Sequence, residues 1–98
     1  MGVQLLIEVP NQHGTQTVVQ AIESYEASLR TGIERTRRRL DRFERRYRAS
    51  TEQFLTTMAA EDLSGGDLDY VEWAGEAKLL EGLLSELDDL EHARVHLR

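Results

Sequence analysis

The chain opens on an alternating segment, Val3-Gln4-Leu5-Leu6-Ile7-Glu8-Val9, with Val3, Leu5, Ile7 and Val9 on one side. That period of two predicts a β-strand over residues 3–9. Pro10-Asn11 ends it, and Asn11 to Thr15 reads as a turn-like loop. No second strand stands out in the pattern. A lone strand leaves its backbone donors and acceptors unpaired, and even a two-stranded ribbon is marginal in water. The expectation is a partner strand supplied by another chain, so that the protein is at least a dimer.

From about Thr17 the period becomes helical. Val18, Ile22, Tyr25, Leu29, Ile33, Thr36, Leu40, Phe43 and Tyr47 recur at spacings of three and four, a heptad-like seam that predicts a helix over 17–48. Such a helix is about 48 Å long at 1.5 Å per residue. Gly32 interrupts it and costs about 1 kcal/mol relative to alanine, which points to a kink or a close contact there. Ser50 or Thr51 then serves as an N-cap, and Gln53 stands at capping-box distance from Ser50. A short helix over 52–60 presents Phe54, Leu55 and Met58. Ser64-Gly65-Gly66 breaks the pattern. Asp67 or Asp69 can cap a last helix over 68–95, and Asp69 with Glu72 has capping-box spacing. Trp73, Ala77, Leu80, Leu83, Leu84, Leu87 and Leu90 give that helix a broad apolar face. The expected fold is mainly α: one small domain with a short N-terminal strand, then a long antiparallel helical hairpin with a short middle helix.

Composition narrows the chemistry. The 98 residues include no cysteine, which excludes a disulfide framework, thiolate metal sites and a cysteine nucleophile. Met1 to Pro10 has neither the charged start nor the small-residue cleavage site of a secretory signal. No apolar run approaches the roughly 18 residues of a membrane span. A cytoplasmic protein that does not enter membranes is expected.

Charge divides the chain in two. Residues 1–49 hold nine arginines against six acids, and residues 50–98 hold three cations against twelve acids, for an overall net charge of −6. Helical projection turns Arg35, Arg38, Arg39, Arg42, Arg45 and Arg46 to between about 140° and 260° from the Leu40 seam. A six-arginine face of this kind can grip phosphates, meet an acidic protein surface, or pair with the acidic last helix of its own or a neighbouring chain. The acidic second half argues against strong nonspecific nucleic-acid binding.

Around the glycine turn, Glu61, Asp62, Asp67, Asp69 and Glu72 are interleaved with Tyr70 and Trp73. Acids beside aromatics suit a protein-binding hot spot, whereas the bland alternatives are helix capping for the acids and the core for Trp73. The acid spacing departs from an EF-hand loop. His92 and His96 stand four apart, a spacing that can chelate a metal, but they project away from the leucine face and read as a solvated last turn. His13 has no visible partner, and no nucleophile elbow, phosphate loop or dinucleotide fingerprint is present. No catalytic residue, metal ligand or cofactor site is assigned, and a non-enzymatic protein is expected.

The segment Leu40-x-x-Phe43-Glu44-x-x-Tyr47, then Thr51-x-x-Phe54, then Glu61-Asp62-Leu63-x-Gly65-Gly66-Asp67-Leu68-x-Tyr70-Val71-Glu72-Trp73-Ala74, together with Leu6-Ile7-Glu8-Val9-Pro10, resembles a family of small bacterial proteins. Members of that family occupy the antitoxin position of two-gene toxin–antitoxin modules, beside a small ribonuclease-like toxin. The resemblance runs from about Leu5 to Leu90 and is most specific from Gly65 to Ala74. It implies a protein that binds and neutralises its neighbour, its strand adding to a toxin sheet edge and its acids covering a basic site. Many antitoxins carry a DNA-binding module; here no helix-turn-helix is visible, and the strand's second face offers only Gln4, Leu6 and Glu8. The residues expected to contact a partner are Leu5, Ile7, Asp67, Asp69, Tyr70, Glu72 and Trp73. The alternatives are a homo-oligomeric helical scaffold without a toxin partner and a weak nucleic-acid binder acting through Arg35 to Arg46.

Overall fold

The structure, a computed structural model, describes residues 4–97. Its order is β1 (Gln4–Ile7), α1 (Gln12–Tyr47), α2 (Thr51–Thr57), a 3-10 turn (Ala60–Asp62), α3 (Gly66–Glu91) and β2 (Arg94–Leu97). The chain is mainly α-helical, as its periodicity predicts, with α1 and α3 forming an antiparallel hairpin. Val3, the first residue of the expected strand, lies outside the described residues.

Helix α1 starts earlier than its apolar seam. Asn11 is the N-cap, extended in backbone, and its side chain accepts a hydrogen bond from the Gly14 N–H at 3.1 Å. The segment expected as a loop, Asn11 to Thr15, is therefore the cap and first turn of the helix, because an asparagine after proline satisfies one of the otherwise unpaired N–H groups. The helix closes at Arg48, which adopts a left-handed conformation (φ 51°) and returns its N–H to the Glu44 carbonyl. Ser50 caps α2 by accepting from the Gln53 N–H at 3.0 Å. Glu44 adds a second cap, taking the Thr51 N–H at 2.7 Å.

At the other end of the hairpin the sequence expectation needs correction. Helix α3 stops at Glu91, with His92 as its C-cap, and residues 94–97 form β2. This strand pairs with β1 in parallel, placing Leu5 opposite Val95 and Ile7 opposite Leu97. The partner strand is thus in the same chain, and strand pairing by itself gives no reason for a second copy. Arg94-Val95-His96-Leu97 alternates like a strand, but four residues at the end of a leucine-rich helical pattern are too short to break the helical reading.

The α1 seam is buried against α3 at Leu29, Ile33, Thr36 and Leu40. Toward its N-terminus Val18 and Ile22 are half-buried and Tyr25 is exposed. The reason is length: 36 residues make α1 about 54 Å long and 26 make α3 about 39 Å, so the first turns of α1 overhang. Gly32 sits where α3 approaches, its position 3.3 Å from the Leu83 side chain if a Cβ were added. The glycine therefore marks a close helix contact. Two apolar clusters fill the interface, one around Leu29, Ile33 and Leu87, the other around Leu40, Phe54, Leu63 and Trp73, with Leu80 packed against both.

Candidate functional site

The glycine turn and the base of the hairpin form one hydrogen-bonded knot. The Tyr47 hydroxyl donates to Asp69 and accepts from the Gly65 N–H at 3.0 Å. Arg46 reaches the same Asp69 carboxylate at 3.0 Å. A Cβ at Gly65 would run into that carboxylate, and Gly66 has φ +62°, a conformation that favours glycine. The Gly-Gly pair is thus required twice over by geometry. Helix α3 begins at Gly66 with Gly65 as N-cap and no side-chain cap. Asp67 and Asp69 lie in its first turn, where the helix dipole favours negative charge. The expected Asp69–Glu72 capping box does not form, because Asp69 turns inward to Tyr47 and Arg46. Asp62 has a different task, accepting from the Ala59 N–H at 2.8 Å.

Trp73 is fully buried, and so is Phe54. Their rings stack at 4.0 Å between centroids, Phe43 and Tyr47 cover the indole further out, and Tyr70 meets Phe54 edge-on at 5.0 Å. The indole N–H donates to the Thr51 hydroxyl at 3.0 Å. Aromatic pairs gain about 0.5–1.5 kcal/mol beyond area burial. Of the expected contact residues, Trp73 lies in the core, Asp69 is buried under Arg46, and Tyr70 is half-buried. The stretch from Gly65 to Ala74 thus builds the joint between α1, α2 and α3. Asp67, Glu72 and Leu5 remain exposed and Ile7 is half-exposed.

The arginine face divides. Arg39 turns toward α3 and binds Glu76 at 2.9 Å, while Arg46 binds Asp69. Arg45 pairs along its own helix with Asp41 at 3.0 Å. Among the described residues Arg35, Arg38 and Arg42 have no acidic partner within ion-pair distance. Two arginines seven residues apart on α1 thus meet two acids seven apart on α3, which fixes the register of the hairpin. In both pairs the acid is largely covered while the arginine still reaches solvent. The pairing explains part of the charge asymmetry: the acidic helix neutralises two of the six arginines within the same chain.

Between these two ion pairs lies a groove lined by Arg39, Arg42, Phe43 and Arg46 from α1 and by Asp69, Val71, Glu72, Gly75 and Glu76 from α3. It brings half of the basic set together with two of the expected acidic contacts, Asp69 and Glu72. Among the described residues, Arg42 and Glu72 are its exposed charged groups without ion pairs. Glu76 is the residue that the sequence reading missed. Its second carboxylate oxygen is buried without a partner. Its spacing from Asp69, equal to that of Arg39 from Arg46, is the signal that could have found it.

Beyond the hairpin, β1 and β2 form a two-stranded sheet. Leu5 and Leu6, adjacent residues that point to opposite faces of β1, are 54% and 51% exposed. Neither face of the strand is well covered.

His92 lies at the end of α3, its Nδ1 2.8 Å from the Asp88 carbonyl oxygen and 3.3 Å from the Asp88 carboxylate. The carbonyl contact, followed by the Asp88 charge, raises its pKa above the ordinary 6.5. His96 lies in β2, so the two histidines do not share a helix face. Among the described residues no three histidines or acids converge in a way that could hold a metal ion. Among the described residues no helix is long and apolar enough to cross a membrane. No protein-family model, curated protein or solved structure matches the chain.

Proposed function

We propose that the chain is a non-enzymatic protein-interaction module, antitoxin-like in action, that binds and neutralises a protein encoded beside it. The observation that carries this reading is the β1–β2 ribbon, a parallel pair with Leu5 and Leu6 exposed on its two faces. Parallel sheets are normally covered on both faces, and two strands alone are marginal. Both outer edges offer unpaired N–H and C=O groups to an extended strand from a partner, the arrangement used in β-augmentation. The family resemblance supplies the kind of partner. The exposed acids Asp67 and Glu72 would then meet basic groups around the partner's site, giving a faster and more selective encounter.

Co-expression with the neighbouring gene product tests this. Wild-type chain should co-purify with that protein and relieve any growth arrest it causes. Leu5→Lys/Leu6→Lys should lose both effects while the hairpin melts at an unchanged temperature. Failure of the wild-type chain to bind the neighbour would sink the proposal.

The unpaired Arg35, Arg38 and Arg42 support a second reading, a weak nucleic-acid binder. Retention on DNA or RNA that weakens steeply with salt and is lost on changing these three to glutamate would favour it.

A further inference from the structure

We infer that a second copy of this chain docks on the outer face of α3, the two α3 helices running antiparallel. This surface is separate from the ribbon, and the inference does not depend on the ribbon's partner. Leu68, Val71, Gly75, Leu79 and Gly82 follow one another at spacings of three and four on the side of α3 turned away from Trp73. Leu68 is 67% exposed, Val71 66% and Leu79 47%. A row of large apolar residues on a helix flank with no neighbour is an unpartnered helix face.

The glycines in that row say what kind of neighbour fits. At Gly14, Gly32 and Gly65 an added Cβ would meet another part of the chain, and Gly66 has a positive φ. Gly75 and Gly82 differ: among the described residues nothing lies within 4 Å of an added Cβ, and neither has a positive φ. Both stand inside α3, where glycine weakens a helix and nothing within the chain requires it. Two open glycines seven residues apart, in line with exposed Leu79, leave room for a second helix backbone to come close.

Charge selects the occupant and its direction. Toward the N-terminal end of α3 the face borders the groove with unpaired Arg42. Toward its C-terminal end it borders Glu86 and Asp89, in a surface shared with Gly75, Lys78, Leu79 and Gly82. Neither Glu86 nor Asp89 is in an ion pair among the described residues. A parallel pair would set acid against acid. An antiparallel pair with Gly75 opposite Gly82 of the second copy puts the two-fold axis between Lys78 and Leu79. The two Leu79 side chains then meet on the groove flank. Arg42, held level with Glu72 by the flanking Arg39–Glu76 and Arg46–Asp69 pairs, comes beside Glu86 of the second copy. Lys78, exposed on the same surface, stands beside the axis on the side away from the groove.

Sedimentation velocity on the full chain across concentrations, with cysteine cross-linking, tests this. The chain has no cysteine, so Leu79→Cys introduces a lone thiol beside the two-fold axis, and it should oxidise rapidly to a disulfide dimer. Arg38→Cys, on the far side of the hairpin, should not. Gly75→Gln/Gly82→Gln should raise the melting temperature of the monomer and abolish the dimer, opposite effects that a folding defect cannot produce together. Arg42→Glu and Glu86→Arg each break two symmetric pairs and should weaken the dimer about two- to thirtyfold, and the double variant should restore it. A chain that stays monomeric at every concentration overturns the inference. So does a dimer that tolerates both glutamines or fails to cross-link through position 79.

Discussion

Tyr47 donates its phenolic hydrogen to the carboxylate of Asp69 across the base of the hairpin. The same hydroxyl receives the Gly65 N–H, and the same carboxylate receives Arg46. One tyrosine therefore ties the last turn of α1 to the glycine turn and to the first turn of α3. The residues that make Gly65 to Ala74 look like a recognition motif are held in place by this tie.

Removing the hydroxyl alone tests its weight. Tyr47→Phe leaves the ring stacked on Trp73 but strips a partner from both Asp69 and the Gly65 N–H. The loss should be about 1–3 kcal/mol, read as a lower urea midpoint. Asp69→Asn should cost a similar amount, and the double variant less than the two together, since the residues share one network. Strict additivity would show that the two act independently.

The aromatic stack makes its own forecast. Phe54→Ala removes the ring lying flat on Trp73 and should cost about 3–5 kcal/mol. Trp73 is the only tryptophan, so its fluorescence reports on this joint alone. Emission should shift to longer wavelength in the variant before the far-UV helical signal is lost.

The seam of α1 from Leu29 to Tyr47 was legible because a heptad pattern survives whatever packs on it. So was the mainly helical hairpin. The direction of individual side chains was less legible. Trp73 read first as core, with a hot spot as the alternative, and Phe54 arriving from α2 fixes it in the core. Arg39 and Arg46 looked like members of a solvent face, because a wheel shows which way a residue points but not which helix waits there. β2 was hidden for a different reason: four residues at the end of a leucine-rich helix give period two no room to compete with period 3.6. The inward turn of Asp69 was illegible because it depends on Tyr47, 22 residues earlier.

His92 should make stability weakly dependent on pH. Its pKa is raised in the folded chain by the Asp88 carbonyl and then by the Asp88 charge. A raised folded value means the stabilisation is fully present below about pH 6.5, the ordinary value, and is lost as pH rises through the raised one. His92 and Asp88 are exposed, so salt should screen the charge part. NMR titration of the imidazole should give a value above the ordinary one. Asp88→Asn should lower that value only partly, because the larger contribution comes from the backbone carbonyl. An unshifted titration in wild type would show that the contact is not kept in solution.

Arg39 and Arg38 are neighbours in sequence with different duties. Arg39→Ala breaks the pair with Glu76, whose second oxygen is already buried without a partner. Leaving that carboxylate uncompensated should cost about 1–3 kcal/mol. Arg38 has no ion pair among the described residues, and Arg38→Ala should stay within about 0.5 kcal/mol of wild type. Urea midpoints for the two variants give the comparison directly. Equal losses would mean that Arg39 acts only through general charge, not through its bond to α3.

The ribbon yields the prediction that joins fold to function. Its four-residue strands pair in parallel, and Leu5 and Leu6 remain half-exposed. Local stability depends on buried apolar contacts, which are sparse here and dense between Leu29 and Leu87. Amide hydrogens of β1 should therefore exchange far faster than those of α1 near Ile33 in the free chain. A partner strand added to either edge would pair the open backbone groups and cover the leucines. Exchange in β1 should then slow by at least about tenfold, the factor expected for each 1.4 kcal/mol of added local stability, while Ile33 changes little. Protection of α3 around Leu79 instead, with β1 unchanged, would move the contact surface from the ribbon to the outer helix face.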